Sequence, residues 1–280
     1  MTVVTATSLD EALDALADDP SAHLLAGGTD FMVEVSFAHR RPVSIVTLRR
    51  VDELKGWWRD GDSLVLGAGM TYTELQAEPF LDLVPGLAQA ARTVGSPQIR
   101  NAGTIGGNIA TGSPAGDTLP VLVALDAVIV LQSAADGERR VPWNEFFLGP
   151  KRTARRNDEL VTAVRVPVVH GRQEYLKVGT RNAMVISVAG VALVMDDDAH
   201  TVRVGLGSVG PVPLRAPAAE AFADSTIDWV TMTVPDGGAA QFGALVSAAA
   251  SPIDDQRSTA AYRRHAVGVC ARRALQRCLS

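Results

Sequence analysis

Apolar positions along this chain alternate between helical spacing and short strand-like runs, and the breaks between them mark its organisation. Ser8-Leu9-Asp10-Glu11 has the form of a capping box, and Leu9, Ala12, Leu13 and Leu16 share one helical face behind it. This predicts a helix to about Ala17. His23-Leu24-Leu25 and residues 44–48 are apolar or β-branched runs that predict strands, a βα-type beginning. A polar connector with Lys55, Gly56, Arg59, Asp60 and Gly61 breaks the pattern over residues 52–62. Beyond it, residues 63–67 predict a strand, Thr71-Tyr72-Thr73-Glu74 a second capping box, and residues 85–93 a helix. Residues 127–132, 139–141 and 160–166 then predict strands divided by turns. A second break falls at residues 168–172, bracketed by Pro167 and Gly171. After it come predicted strands at 174–178, 188–195 and 202–209, with Asp196-Asp197-Asp198 as a turn, and helices at 239–250 and 258–278. The expected fold class is α+β, with units at residues 1–54, 55–170 and 171–280, the last a sheet covered by helices.

Two glycine pairs stand out within this pattern. One lies in Leu24-Leu25-Ala26-Gly27-Gly28-Thr29-Asp30, followed by Phe31, and the other in Gly103-Thr104-Ile105-Gly106-Gly107-Asn108. Glycine accepts positive φ and presents no Cβ, so such loops can turn several N–H groups onto one anion at close range. The second segment continues through Thr111 to Ser113-Pro114-Ala115-Gly116-Asp117 without a residue larger than Ile or Asn, before an apolar run at 119–125. Together the loops predict a diphosphate cradle; for the first taken alone, a tight strand connection serves equally well. Gly205-Leu206-Gly207-Ser208-Val209-Gly210 matches G-x-G-x-x-G, but Pro211 and Pro213 follow at once and no helix opens there. A strand-to-loop turn is expected instead of a dinucleotide fingerprint.

Composition narrows the function. With 26 basic against 31 acidic residues the net charge is −5, which argues against nucleic acid as partner and predicts that a bound polyanion is met by directed N–H groups, not by a basic surface. The pairs Arg40-Arg41, Arg49-Arg50 and Arg155-Arg156 read as solvated faces. The start carries Asp10, Glu11, Asp14, Asp18 and Asp19, so no basic-then-apolar leader is read, and the apolar stretches are too short or interrupted for a membrane span. A cytoplasmic chain is expected. Cys270 and Cys278 lie eight apart, about 12 Å along one helix, too far for a disulfide and too few for an iron–sulfur site. His23, His39, His170, His200 and His265 show no metal-ligand spacing. Neither a catalytic side chain nor a metal site is predicted, so a bound cofactor performs any chemistry.

The two glycine segments, residues 113–117, Glu159-Leu160-Val161 with Val166-Pro167, Tyr175-Leu176-Lys177 and the helix start near Tyr262-Arg263 resemble, in order, one family. It is the FAD-binding medium subunit of molybdenum hydroxylases, of the xanthine dehydrogenase and carbon monoxide dehydrogenase kind. The resemblance implies a two-subdomain FAD-binding fold of the vanillyl-alcohol-oxidase-like (PCMH) type, followed by the C-terminal domain found in such subunits. It implies non-covalent FAD, since neither loop carries a counterpart of the covalent flavin histidine of distant relatives. It also implies partner subunits, a large one with molybdenum–pterin and a small one with [2Fe–2S] clusters, in a dimer of heterotrimers. This chain would then pass electrons from the clusters to an external acceptor.

By the same resemblance, Leu24, Leu25, Ala26, Gly27, Gly28, Thr29, Asp30 and Phe31 would wrap the ribityl-diphosphate together with Gly103, Thr104, Ile105, Gly106, Gly107, Asn108 and Thr111. Asp117 would bond the polar part of the flavin. Val94 and Val161, beside Leu160, would enclose adenine with Lys177 nearby, and Ile186 would lie beside the ring. Core packing accounts for Val94, Val161 and Ile186 equally well. Met184-Val185 stands where some relatives have an acidic pair, which leaves NAD, oxygen, a quinone or another carrier as acceptor. Two other functions fit the same residues: a stand-alone NAD(P)H-dependent flavin reductase or oxidase, and an assembly subunit without FAD.

Overall fold

In the computed structural model, which describes residues 1–37, 39 and 41–280, the N-terminal unit is built on a three-stranded parallel sheet. Its elements are β1 (Thr2–Thr5), α1 (Leu9–Asp18), β2 (His23–Leu25), α2 (Phe31–Ser36) and β3 (Ser44–Thr47), in the spatial order β1-β3-β2. The α1 helix buries Ala12, Leu13 and Leu16, the predicted face. Ser8 Oγ accepts from the Glu11 N–H, and the Glu11 carboxylate reaches back to the Thr7 N–H at 2.7 Å, one residue earlier than a standard box. No strand is predicted at Thr2–Thr5, because a four-residue run that is almost wholly exposed shows no alternation of burial. Thr5, Leu25 and Thr47 end the three parallel strands on one edge, where ligand-binding loops of parallel sheets gather. The first glycine segment leaves β2 at that edge. Arg40 of the Arg40-Arg41 pair lies outside the described residues.

The second unit runs through β4 (Trp57–Asp60), β5 (Ser63–Gly67), α3 (Phe80–Leu83), α4 (Pro85–Thr93), α5 (Pro97–Ala102), α6 (Ile105–Thr111) and α7 (Leu119–Ala124). It continues with β6 (Val128–Ser133), β7 (Gly137–Pro142), α8 (Trp143–Phe146), β8 (Phe147–Gly149), β9 (Arg152–Thr153) and β10 (Leu160–Pro167). Five of the strands form an antiparallel sheet in the order β4-β5-β10-β6-β7, while β8 and β9 pair as a small hairpin. Trp57–Asp60, expected as connector, is an edge strand on β5; all four of its residues are exposed, so burial leaves no period-two signal. The second capping box forms, with Glu74 accepting from the Thr71 N–H at 2.7 Å, but caps only a single 3-10 turn. The β10–β6 register shifts between Val161 and Ala163, a bulge that leaves Thr162 O free to accept the Ala68 N–H at 2.9 Å.

The third unit comprises β11 (Gln173–Val178), β12 (Ala189–Asp196), β13 (Thr201–Gly207), β14 (Leu214–Arg215), α9 (Pro217–Thr226), α10 (Gly238–Ala249) and α11 (Ala260–Leu279). Its antiparallel sheet packs against α4 and α7 on one face and against α9 and α11 on the other, with α10 packed on α9 and α11. The α9 helix is missed from the sequence because its buried positions are only Ala219 and Ala223, too weak a stripe to register. Gly205 lies on β13, where a Cβ would overlap the Pro120 carbonyl of α7, so this glycine permits sheet-to-helix contact. The chain turns at Ser208 with no helix before Pro217, as the two prolines require. Cys270 and Cys278 are buried on α11, and burial pushes the Cys278 thiol up to about 12. Among the described residues no helix is long and apolar enough to cross a membrane.

Glu159 braces the wall formed by β7, β9 and β10. It is 2% exposed and accepts from Arg139 Nε at 2.5 Å and from the Arg156 N–H at 2.6 Å. Burial alone would raise this carboxyl, but those donors outweigh it and hold the group below the usual 4.5. Its stabilising contribution is therefore complete above the ordinary pKa and fades as pH falls through the depressed one. Glu159→Gln is expected to cost about 2 kcal/mol at neutral pH, less than a fully buried pair because Arg139 is one-third exposed, and to flatten the acid-side decline in stability. Urea unfolding at neutral pH and below about pH 5 measures both; an unchanged midpoint at neutral pH would refute the assignment.

Candidate functional site

The three units meet around a cavity of about 1020 Å³, at the upper end of the roughly 300–1,000 Å³ usual for small-molecule sites and suited to a dinucleotide. The first glycine segment, the start of α6, the bulged strand β10 and residues 184–186 of the third unit all line it. The two glycine segments touch. A Cβ on Gly27 would overlap the Ala102 carbonyl and come within 3.0 Å of Gly103 Cα, so only glycine admits this approach.

The segments differ in what they offer a ligand. Gly28, at φ 73°, turns the chain between β2 and α2, and among the described residues no acceptor takes the N–H of Gly27, Gly28, Thr29 or Asp30. Consecutive unclaimed N–H groups of this kind are able to act together on one anion. The second segment is not a loop but the first turn of α6, with Thr104 as its N-cap. From Ile105 to Gly107 the N–H groups are taken within the fold, Ile105 by Met70 O at 2.9 Å, Gly106 by Ala68 O at 2.9 Å and Gly107 by Thr104 Oγ1 at 3.1 Å, while among the described residues no acceptor takes the Thr104 N–H. Main-chain donors from the second segment are thus limited to Thr104, which lines the cavity. Gly106 is small because a Cβ would collide with Ala68, whereas a Cβ on Gly107 would meet only Thr104 Oγ1, at 3.0 Å, beside the cavity. Asn108 Oδ1 accepts from Thr118 Oγ1 at 2.6 Å, which leaves the Asn108 amide as a donor.

Asp117 and Lys177 form a buried ion pair at 2.6 Å, each side chain 8% exposed. Tyr175 donates to the same carboxylate at 3.2 Å, and Lys177 also donates to Thr93 O at 3.2 Å. Burial pushes the Asp117 carboxyl above its usual range, and the Lys177 charge, with the Lys177 and Tyr175 hydrogen bonds, opposes that push. Burial, followed by the Asp117 charge, lifts the Tyr175 hydroxyl well above the tyrosine range. The carboxylate is therefore an acceptor fixed in place by donors from β11, a strand of the third unit.

Most of the predicted residues line this cavity, including Leu24, Phe31, Val94, Thr111, Leu160, Val161 and Ile186. Leu25, Gly103, Ile105 and Lys177 do not. Leu25 faces a smaller cleft of about 480 Å³, Ile105 is wholly buried, Gly103 packs against the Tyr72 ring, and Lys177 reaches the site through Asp117. The sequence reading misses a set of cations on the same wall: Arg49, Lys55, Lys151, Arg152 and Arg155. The Arg49-Arg50 and Arg155-Arg156 pairs are therefore not simply solvated faces. Arg155 donates into the fold, to the Arg156 and Glu159 carbonyls, and Arg49 faces both clefts. Residues this far apart along the chain carry no shared spacing signal. Among the described residues no His, Cys, Asp and Glu group is arranged to hold a metal.

The family model for the FAD binding domain in molybdopterin dehydrogenase matches residues 1–169, and that for the CO dehydrogenase flavoprotein C-terminal domain matches residues 174–278. The nicotinate dehydrogenase FAD-subunit of Eubacterium barkeri is 34% identical over 81% of this chain and 82% of its own length. The carbon monoxide dehydrogenase medium chain of Hydrogenophaga pseudoflava is 32% identical over 96% of this chain and 93% of its own. The solved carbon monoxide dehydrogenase from that organism, in a form lacking the Mo-pyranopterin moiety of the molybdenum cofactor, superposes with a TM-score of 0.90 at 30% identity, covering 99% of this chain and 96% of that one.

Lys177→Met strands the Asp117 carboxylate in a buried site. A loss of about 3 kcal/mol in unfolding free energy is expected, with most of it recovered in Lys177→Met/Asp117→Asn, which removes the orphaned charge while keeping an acceptor for Tyr175. Guanidinium unfolding of both variants tests this; equal losses in the single and double variants would show that the two side chains are not coupled.

Proposed function

The chain belongs to the family of FAD-binding medium subunits of molybdenum hydroxylases, and from that premise we propose that it is the electron-exit module of its assembly. It is a flavoprotein subunit of an oxidoreductase and carries FAD. In this reading a [2Fe–2S] subunit delivers electrons taken from substrate by a molybdenum–pterin subunit, and an external acceptor removes them. The assembly is a dimer of heterotrimers in the cytoplasm. When bound, FAD supplies the conversion between single-electron and paired-electron transfer.

The observation that carries the reading is the row of unclaimed N–H groups at Gly27, Gly28, Thr29 and Asp30, on a cavity of about 1020 Å³, large enough for a dinucleotide. These donors receive the diphosphate, and the Asn108 amide adds a side-chain donor. Asp117, held by Lys177 and Tyr175, accepts from the ribityl hydroxyls or a ring N–H. Val94, Leu160 and Val161 enclose adenine and exclude water from it, and Ile186 covers the ring side. No side chain is required to move a proton; the protein's part is position and electrostatics.

Gly107→Val tests the placement of the cofactor. The added side chain enters the cavity near the diphosphate without meeting core residues, so the purified variant is expected to lose most of its flavin while its melting temperature stays within a few degrees of wild type. Wild-type flavin content would refute the placement. Purification of the native complex tests the wider function: flavin and iron–sulfur absorption should co-elute with molybdenum, whereas a yellow monomer that oxidises NADPH unaided would overturn it.

A further inference from the structure

A diphosphate needs counter-charge as well as hydrogen bonds, and the net charge of this chain is −5. Most cations on the cavity wall are already committed. Lys55 pairs with Asp52 at 2.6 Å, Lys151 with Glu34 at 2.7 Å, and Arg155 donates to the Glu159 carbonyl at 2.7 Å. Arg49 and Arg152 differ: among the described residues, neither guanidinium has a carboxylate or carbonyl partner. They come from different units, Arg49 from the loop that leaves β3 and Arg152 from β9.

Both line the cavity onto which the free donors open. Arg49 lines both the large cavity and the small cleft, and the Gly27-Gly28 turn lines both as well. Arg152 follows Lys151, whose ammonium reaches Glu34 and, at 3.9 Å, Asp30, the last of the four free donors. Its backbone nitrogen also lies 3.9 Å from where a Cβ on Gly112 would sit, at the end of α6. Arg49 thus lines this cavity beside the first glycine turn, and Arg152 lines it from the β9 hairpin near the end of α6. Guanidinium is the side-chain group best matched to phosphoryl oxygens, and it keeps its charge at all working pH values.

We infer that Arg49 and Arg152 form a clamp on the FAD diphosphate, so that neutral N–H groups of the first glycine turn set its position and two arginines neutralise it. The clamp rests on the FAD reading above and adds to it the residues that make binding electrostatic. It also joins the first and second units through the ligand.

The test is FAD titration of the flavin-stripped, full-length chain at low and high salt. Arg49→Gln and Arg152→Gln are each expected to weaken FAD binding about tenfold at low salt and to reduce its salt dependence. Arg49→Lys should recover part of the loss. Arg50→Gln removes the same charge from a residue that lines only the small cleft and should bind as wild type. Affinity and salt dependence unchanged in both Gln variants would overturn the clamp while leaving the FAD reading intact, and an equal loss in Arg50→Gln would overturn it in favour of a diffuse charge effect. A wild-type chain that takes up no FAD would remove both readings together.

Discussion

The site depends on a contact that contains no side chain. Gly27 lies so close to the Ala102 carbonyl and Gly103 that even a methyl group would push the first two units apart. That closeness brings the four unclaimed N–H groups of the β2–α2 turn onto the same cavity as α6. The contact is backed by a second one of the same kind: the Gly106 N–H bonds to Ala68 O, and the Ala68 N–H bonds to Thr162 O in the β10 bulge. A continuous backbone path therefore connects the start of α6 to the central strand of the sheet. The small residues across the second segment follow from this, since two main chains and a ligand cannot share the space with larger side chains.

Periodic burial was readable because it is local. The α1 face, the capped start at Ser8 and the β-branched runs of β5, β10, β12 and β13 each carry their own signal within a few residues. Elements with one exposed side and little apolar content were not readable, and Trp57–Asp60 and α9 are of that kind. Both glycine segments were visible as backbone-dense places. Their division of labour was not, because it is decided by which carbonyls, Met70 and Ala68, lie opposite the second segment. The cavity cations were invisible for the same reason: Arg49 and Arg152 lie on loops of different units, and only the assembled fold places them on one wall.

Net charge proved a poor guide to the local field. A chain at −5 still gathers several cations around one cavity, most of them held by nearby carboxylates or carbonyls. This pairing leaves unpaired charge on the cavity only at chosen points. Position and neutralisation are then separate tasks. Backbone donors are rigid and short-ranged, whereas guanidinium groups reach further and adapt.

The third unit belongs to the site. Its strand β11 supplies Lys177 and Tyr175 to Asp117, and the same strand is fastened to α4 by reciprocal bonds, with the Tyr175 N–H to Gln89 and the Gly86 N–H to Gln173. If β11 were withdrawn, Asp117 would face a buried site without its cation, and burial would favour the neutral acid, a poorer acceptor for hydroxyl or ring N–H donors. The groups that oppose the push of burial on this carboxyl thus come from a domain beyond the FAD-binding region. It follows that the two matched regions, 1–169 and 174–278, share one cavity: the first provides most of its lining, and the second anchors the Asp117 carboxyl that faces it.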